Sequence, residues 1–278
     1  MSDSDTNSDF DEKEIKNDKD RVVFEQLGNG SYGQVYRVVE TSDQQEYAVK
    51  YFPKHVVSSM ESAQCEIEVF KMFKAHPNIV TLKKNAEDVK YLKLFYQPVC
   101  GMSLFDYLKL NQRMTESECS TCLQSVIEIL MSCHAQKIMH LDLKPENLLL
   151  PRGETMAPKE LYLCDFGLAD WSNFNNKPWI DKGTLDYLSP EQIEHKDFSY
   201  RVELWAIGVL TYELLEGFPP FSARTASLTV EHIKKIQYSF SESLSLSDEA
   251  KDFIGGLLVQ DPNQRRSLES CLQHPFLK

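Results

Sequence analysis

Asp142 and Asn147 stand five positions apart in His140-Leu141-Asp142-Leu143-Lys144-Pro145-Glu146-Asn147, and Pro145 between them places both on a loop. Asp165-Phe166-Gly167 follows after a strand-like pair at 148–150 and 161–164. A carboxylate, a carboxamide and a second carboxylate supply a proton acceptor and hard oxygen ligands. Mg2+ takes such donors and fills its shell with phosphate and water. Phosphoryl transfer needs little covalent chemistry from a protein; it needs positioning, charge neutralisation and an oriented hydroxyl. Gly28-Asn29-Gly30-Ser31-Tyr32-Gly33 adds a G-x-G-x-x-G loop. In a dinucleotide fold this loop opens a helix, with an acidic residue about 20 positions on. Here it lies between two strand-like runs, which can fold over a nucleotide with backbone N–H groups near the phosphates; a plain glycine-rich hairpin turn is the other reading of this motif alone. Lys50 sits on the apolar strand Tyr47-Ala48-Val49-Lys50. A buried Lys needs an anionic partner. ATP α/β-phosphates would serve, as would Glu66 or Glu68 on the following helix.

These residues must be held by two kinds of structure. Residues 22–27, 35–40 and 47–52 are short β-branched and aromatic runs separated by turn chemistry, and read as antiparallel strands. Met60, Ala63, Ile67, Phe70 and Phe73 recur in steps of three and four, which predicts a helix over 60–74. Runs 79–82 and 91–96 read as two more strands. After Gly101 the pattern turns helical. Thr115 with Glu118, and Ser189-Pro190 with Gln192, are capping boxes. The first starts a helix to His134. Residues 200–216 are apolar nearly all round, which predicts a buried central helix.

In order along residues 21–278, these motifs resemble the eukaryotic protein kinases of the serine/threonine class. Ser189-Pro190-Glu191 and Gly217-Phe218-Pro219-Pro220-Phe221 extend the match, and segment 183–191 is most similar to the Aurora kinases. The resemblance implies an α+β, bilobal fold: an antiparallel β lobe with one helix (21–96), a hinge about 94–98, and a larger, mostly α-helical lobe (99–278). It implies ATP and Mg2+ as cofactors. Leu27, Gly28, Gly30 and Gly33 would cover the nucleotide, Val35 and Ala48 would touch the adenine, and Leu94 would stand at the back of its pocket. Lys50 would hold the phosphates and pair with Glu66. Asp142 would accept the hydroxyl proton, Lys144 steady the γ-phosphate, and Asn147 and Asp165 bind Mg2+. Glu191 would meet Arg265 in a buried structural ion pair.

Two positions depart from the family pattern. Leu141 replaces the usual Arg before the catalytic Asp, a residue that pairs with an activation-loop phosphate. Ile180 stands at the usual phosphosite, and Ser172 is the only hydroxyl side chain between Gly167 and Gly183. Reader and mark are both missing, so the loop is expected to order without phosphorylation, through Phe174, Trp179 and Ile180 or a partner protein. Glu203 replaces the usual Asp beneath the catalytic loop, one methylene longer in a packed site. Glu146 resembles a carboxylate that binds an arginine ahead of the target residue, although Ser103 stands where a second Glu would help. A pseudokinase scaffold is the alternative that Leu141 and Glu203 motivate. A small-molecule kinase is disfavoured by Lys144 and segment 183–191. Cys119, Cys122, Cys133 and His134 have zinc-like types, but on one helix the pairs are roughly 16–20 Å apart. They read as packing residues, as do Trp205 and Tyr212.

Composition bounds the partners. The 278 residues are 42% apolar and 26% charged, which fits one bilobal unit. Lys plus Arg is 30 and Asp plus Glu is 42, a net charge of −12 that disfavours nucleic acid and anionic membrane and suits a basic protein substrate. Residues 1–20 hold eight acidic side chains and three lysines, net −5, leaving −7 for the rest. With few core formers, this tail is expected to be disordered. Its Ser2, Ser4, Thr6 and Ser8 read as part of a solubilising tail rather than a modification site. No signal peptide is expected, and seven Cys read as free thiols in a reducing compartment. A cytoplasmic or nuclear monomer is the corresponding expectation, with an activating protein as a further partner.

Overall fold

A computed structural model of the chain describes residue 15 and residues 21–30, 32–73, 76–152, 160–171, 183–195 and 199–278. The expectations for the tail apart from Ile15, and for Ser172, Phe174, Trp179 and Ile180, lie outside the described residues. The chain divides into two units, Met1–Gly101 and Met102–Lys278.

In the first unit, strands β1 (Arg21–Gly30), β2 (Gly33–Glu40), β3 (Glu46–Pro53), β4 (Thr81–Glu87) and β5 (Tyr91–Gln97) form one antiparallel sheet in the order β1-β2-β3-β5-β4. Period-two alternation gives the sheet two faces. Ala48, Lys50 and Phe52 of β3 point one way, and Tyr47, Val49 and Tyr51 the other. Helix α1 (Val57–Met72) packs against β3, β4 and β5. It buries Ser59, Ser62, Ala63, Glu66 and Val69, not the stripe of Met60, Ile67, Phe70 and Phe73 that apolar spacing predicts. A buried glutamate and two buried serines displace the stripe by about a residue, because Glu66 is satisfied by polar partners.

Two strand expectations shift. β4 begins at Thr81 and runs to Glu87, later and longer than 79–82. Its polar Lys83, Lys84 and Asn85 hide it from an apolar search, and a bulge between Leu82 and Lys84 breaks its alternation. β5 continues to Gln97, so Leu94 is a mid-strand residue opposite Lys50 rather than the start of a hinge.

The second unit is built on α5 (Arg201–Glu216), in which every residue after Arg201 is buried. Each large apolar side chain so buried contributes about 1.5–3 kcal/mol. Trp205 stacks on Phe221 with ring centroids 5.2 Å apart. The helix stops at Gly217, whose φ of +89° is a left-handed cap that only glycine adopts cheaply. Around α5 lie α2 (Leu104–Asn111), α3 (Glu116–Ala135), the short α4 (Pro190–Ile193), α6 (Ala226–Lys235), α7 (Asp248–Gly255) and α8 (Leu268–Leu272). Both capping boxes form as predicted, at Thr115/Glu118 and Ser189/Gln192. Ser103 forms a third with Asp106, so it caps α2. The loop strands shrink to β6 (Leu148–Leu149) and β7 (Tyr162–Leu163).

Candidate active site

Lys50 and Glu66 carry the chemistry of the first unit. Lys50 Nζ lies 2.7 Å from Glu66 Oε1, and both side chains are almost fully buried. Tyr96 Oη donates to the other carboxylate oxygen. Glu68 instead accepts from Gln64 on the helix surface. Lys50 also sits 4.9 Å from the Phe52 ring centroid. Leu94, directly across the ladder from Lys50, is fully buried, whereas Val35 and Ala48 are half-buried on the Lys50 side of the sheet.

The glycines of the loop differ. A Cβ on Gly33 would meet the Tyr51 carbonyl oxygen at 2.6 Å, so the strand pairing itself demands glycine there. A Cβ on Gly28 would meet nothing within 4 Å. Backbone open on that side is what a phosphate approaching N–H groups requires. Leu27 is half-buried beside it.

In the second unit, Asp142, Lys144, Asn147 and Thr184 converge. Lys144 Nζ lies 2.9 Å from Asp142 Oδ2 and donates to Thr184 Oγ1 at 2.9 Å. Thr184 Oγ1 donates to Asp142 Oδ1 at 3.5 Å. Burial alone would lower the Lys144 pKa, but Asp142 outweighs it, with help from Glu146 and Asp165, and holds Lys144 above its ordinary value. Asn147 Nδ2 donates to the Asp142 carbonyl at 2.8 Å and to Asp142 Oδ2 at 3.0 Å. Those bonds use the amide nitrogen and leave the amide oxygen as the group to offer a cation. Asp165 adds a carboxylate on left-handed backbone at φ +62°, strain typical of a functional position. An amide oxygen and a carboxylate are the small, hard donor set that Mg2+ takes alongside phosphate and water. The residues present therefore fit that ion. No group of three metal-binding side chains occurs among the described residues.

The loop is braced from below. His140 is fully buried, with Nε2 2.8 Å from the Cys164 carbonyl oxygen and Nδ1 accepting from Asp142 N–H at 3.3 Å. Its ring meets Phe166 edge-on at 4.8 Å. Glu203 Oε1 accepts from the backbone N–H groups of His140 at 2.7 Å and Leu141 at 3.1 Å. The Oε2 atom faces His134 Nε2. The extra methylene of Glu203 is thus absorbed, and the carboxylate still reaches two loop amides. Burial pushes its pKa up, but His134, His140 and the Leu141 amide prevail and hold it below the ordinary value. Sequence reasoning missed His134 as the partner; nothing in its spacing announces a residue 69 positions away. Leu141 has φ +63° and lines a cavity of about 20 Å3 together with Thr184, Tyr187 and Val202.

A second acidic group lies near this loop. Glu213 of α5 is buried, accepts from Tyr187 Oη, and is pushed up to about 7 by burial, with Glu146 and Asp186 adding repulsion. Glu146 itself is exposed. The Cys119, Cys122 and Cys133 thiols are buried, and burial raises all three, Cys122 to about 12. Protonated thiols are packing groups, not ligands. The seven cysteines form no disulfide among the described residues.

In the first unit Lys50 of the sheet pairs with Glu66 of α1, and in the second an Asp-Lys-Asn loop is braced on helices; these are the parts that phosphoryl transfer calls for. A family model described as the protein kinase domain matches residues 21–277. The chain belongs to the protein kinase family, whose members transfer a phosphoryl group from ATP to proteins. Its fold is the bilobal α+β kinase fold.

Proposed function

We propose that this protein is a serine/threonine kinase that uses ATP and Mg2+ and needs no activation-loop phosphate. The observation that carries the reading is Lys144, bonded at 2.9 Å to both Asp142 and Thr184. That bridge places a cation beside the base, suited to steadying a γ-phosphate next to an aliphatic hydroxyl. Asp142 accepts the proton of the substrate hydroxyl as its oxygen bonds to the γ-phosphorus. The bond from phosphorus to the β,γ-bridging oxygen breaks, and ADP leaves. Lys50, fixed by Glu66, binds the α- and β-phosphates. Asn147 and Asp165 would hold Mg2+. That ion, when bound, neutralises charge on the phosphate oxygens. Glu203 keeps the Asp142 backbone in place through the His140 and Leu141 amides.

Glu146, an exposed carboxylate on the loop, supports a basic substrate. Leu141, an apolar residue on braced backbone, supports independence from a loop phosphate. The likeness of segment 183–191 to the Aurora kinases adds a subfamily reading. The experiment is a positional-scanning peptide array with the purified, phosphatase-treated chain and Asp165→Ala as control. Phosphate on Ser or Thr peptides with arginine upstream, absent from the control, supports the reading. Phosphotyrosine products overturn the serine/threonine assignment, and equal counts in both chains make the protein a pseudokinase scaffold. Activity lost on phosphatase treatment, with a phosphate mapped within 168–182, overturns loop independence.

A further inference from the structure

The sheet face opposite Lys50 and α1 is aromatic and closed to water. Tyr36, Tyr47, Tyr51, Tyr91 and Phe95 lie on it, each no more than 7% exposed. Tyr51 makes edge contacts with Tyr36 and Tyr91 at 5.7 and 5.9 Å, and Tyr47 with Phe95 at 5.6 Å. A sheet face needs a covering layer to reach such burial. Among the described residues of this cluster, Ile15 alone comes from outside the strands, and it is 2% exposed. We propose that this face is a docking surface for the chain's own acidic N-terminal segment, seated by Ile15.

Cationic side chains stand over the same rings. Arg21 lies 4.9 Å from the Phe95 ring centroid, Lys84 4.8 Å from that of Tyr47, and Lys93 5.5 Å from that of Tyr51. Glu40 pairs with Arg21 and Lys84, Asp88 pairs with Lys93, and Asp43 accepts from Tyr47 Oη at 3.3 Å, so the rim carries both signs of charge. Residues 1–20 are net −5, and Ile15 stands within Asp11-Glu12-Lys13-Glu14-Ile15. A single aliphatic anchor matches an aromatic floor, and Ile15 packs into that cluster. The acidic segment is then a strap of the kinase domain rather than a solubilising tail.

The test uses the full chain and maps tetranitromethane nitration of Tyr36, Tyr47, Tyr51 and Tyr91 by mass spectrometry. Wild type and Ile15→Val stay protected. Ile15→Asp nitrates roughly tenfold faster or more, since burying an aliphatic side chain is worth at least a decade in an equilibrium. A synthetic peptide of residues 1–20 restores protection to the Ile15→Asp chain, and the same peptide carrying Ile15→Asp does not. If Ile15→Asp loses its cooperative melting transition, Ile15→Ala with and without the peptide decides on the same criteria. Equal nitration in all chains, failure of the wild-type peptide to protect, or protection that depends on protein concentration, as a second copy on the face would give, overturns the proposal.

Discussion

At the scale of single residues, two buried glutamates of α5 behave in opposite ways, and each yields a pH prediction. Glu203 is held below its ordinary value of 4.5 despite burial. A carboxylate depressed on folding adds stability above its unfolded value, which is lost as pH falls through the folded one. Glu203→Gln removes the charged acceptor of the His140 and Leu141 amides and should cost about 1.5–3 kcal/mol. Urea unfolding should show that gap in full above pH 5 and shrinking as pH drops below 4.5. Glu213 is raised from 4.5 to about 7. The folded chain holds its proton where the unfolded chain has released it, so stability falls as pH rises from 4.5 to 7. Glu213→Gln keeps an acceptor for Tyr187 and removes that decline. Relative to wild type, the variant should gain on the order of 3 kcal/mol between pH 4 and pH 8. A gain that does not change with pH would show that Glu213 stays ionised.

At the scale of elements, the ion pair between α4 and the loop before α8 ties the segment that follows Thr184 to the helical unit. Arg265 meets Glu191 through two parallel bonds of 2.7 Å and also donates to the Val259 and Arg201 carbonyl oxygens. Arg265→Ala strands a buried carboxylate and should destabilise the chain by about 3–5 kcal/mol. Thermal melting measures this loss. Arg265→Lys keeps the charge but not the paired geometry, and should fall between the two. This pair was readable in the sequence only through the family resemblance, since its halves are 74 positions apart. Helix starts were readable directly, because a capping box is local: Thr115, Ser189 and their partners three residues on sit where the motif puts them. The face of α1 was not readable. Its buried side depends on Lys50 and Tyr96, which lie on strands far from it in sequence.

At the scale of the molecule, the proposed basic substrate yields a prediction about charge. The excess of 42 acidic over 30 basic residues is concentrated in part at the N-terminus, where residues 1–20 are net −5. Phosphorylation of an arginine-containing peptide should show a KM that rises with salt, because exposed charges are screened beyond about 10 Å at 0.1 M. Glu146→Gln should raise that KM with little change in kcat and reduce the salt effect; an unchanged KM would remove Glu146 from substrate binding. Initial rates across a salt series check both.

The sequence alone determined the order of motifs, the two-part architecture and the residues of the Asp142–Asn147 loop, because each depends on neighbours within a few positions. Leu141 and Glu203 were visible as departures, but not their consequence. Tertiary structure decided that Glu203 still reaches the His140 and Leu141 amides, that His134 is its partner, and that Ile15 belongs to the core. Each of these depends on which side chains folding brings within a few ångströms, and burial there fixes their charge and partners in a way no local pattern encodes.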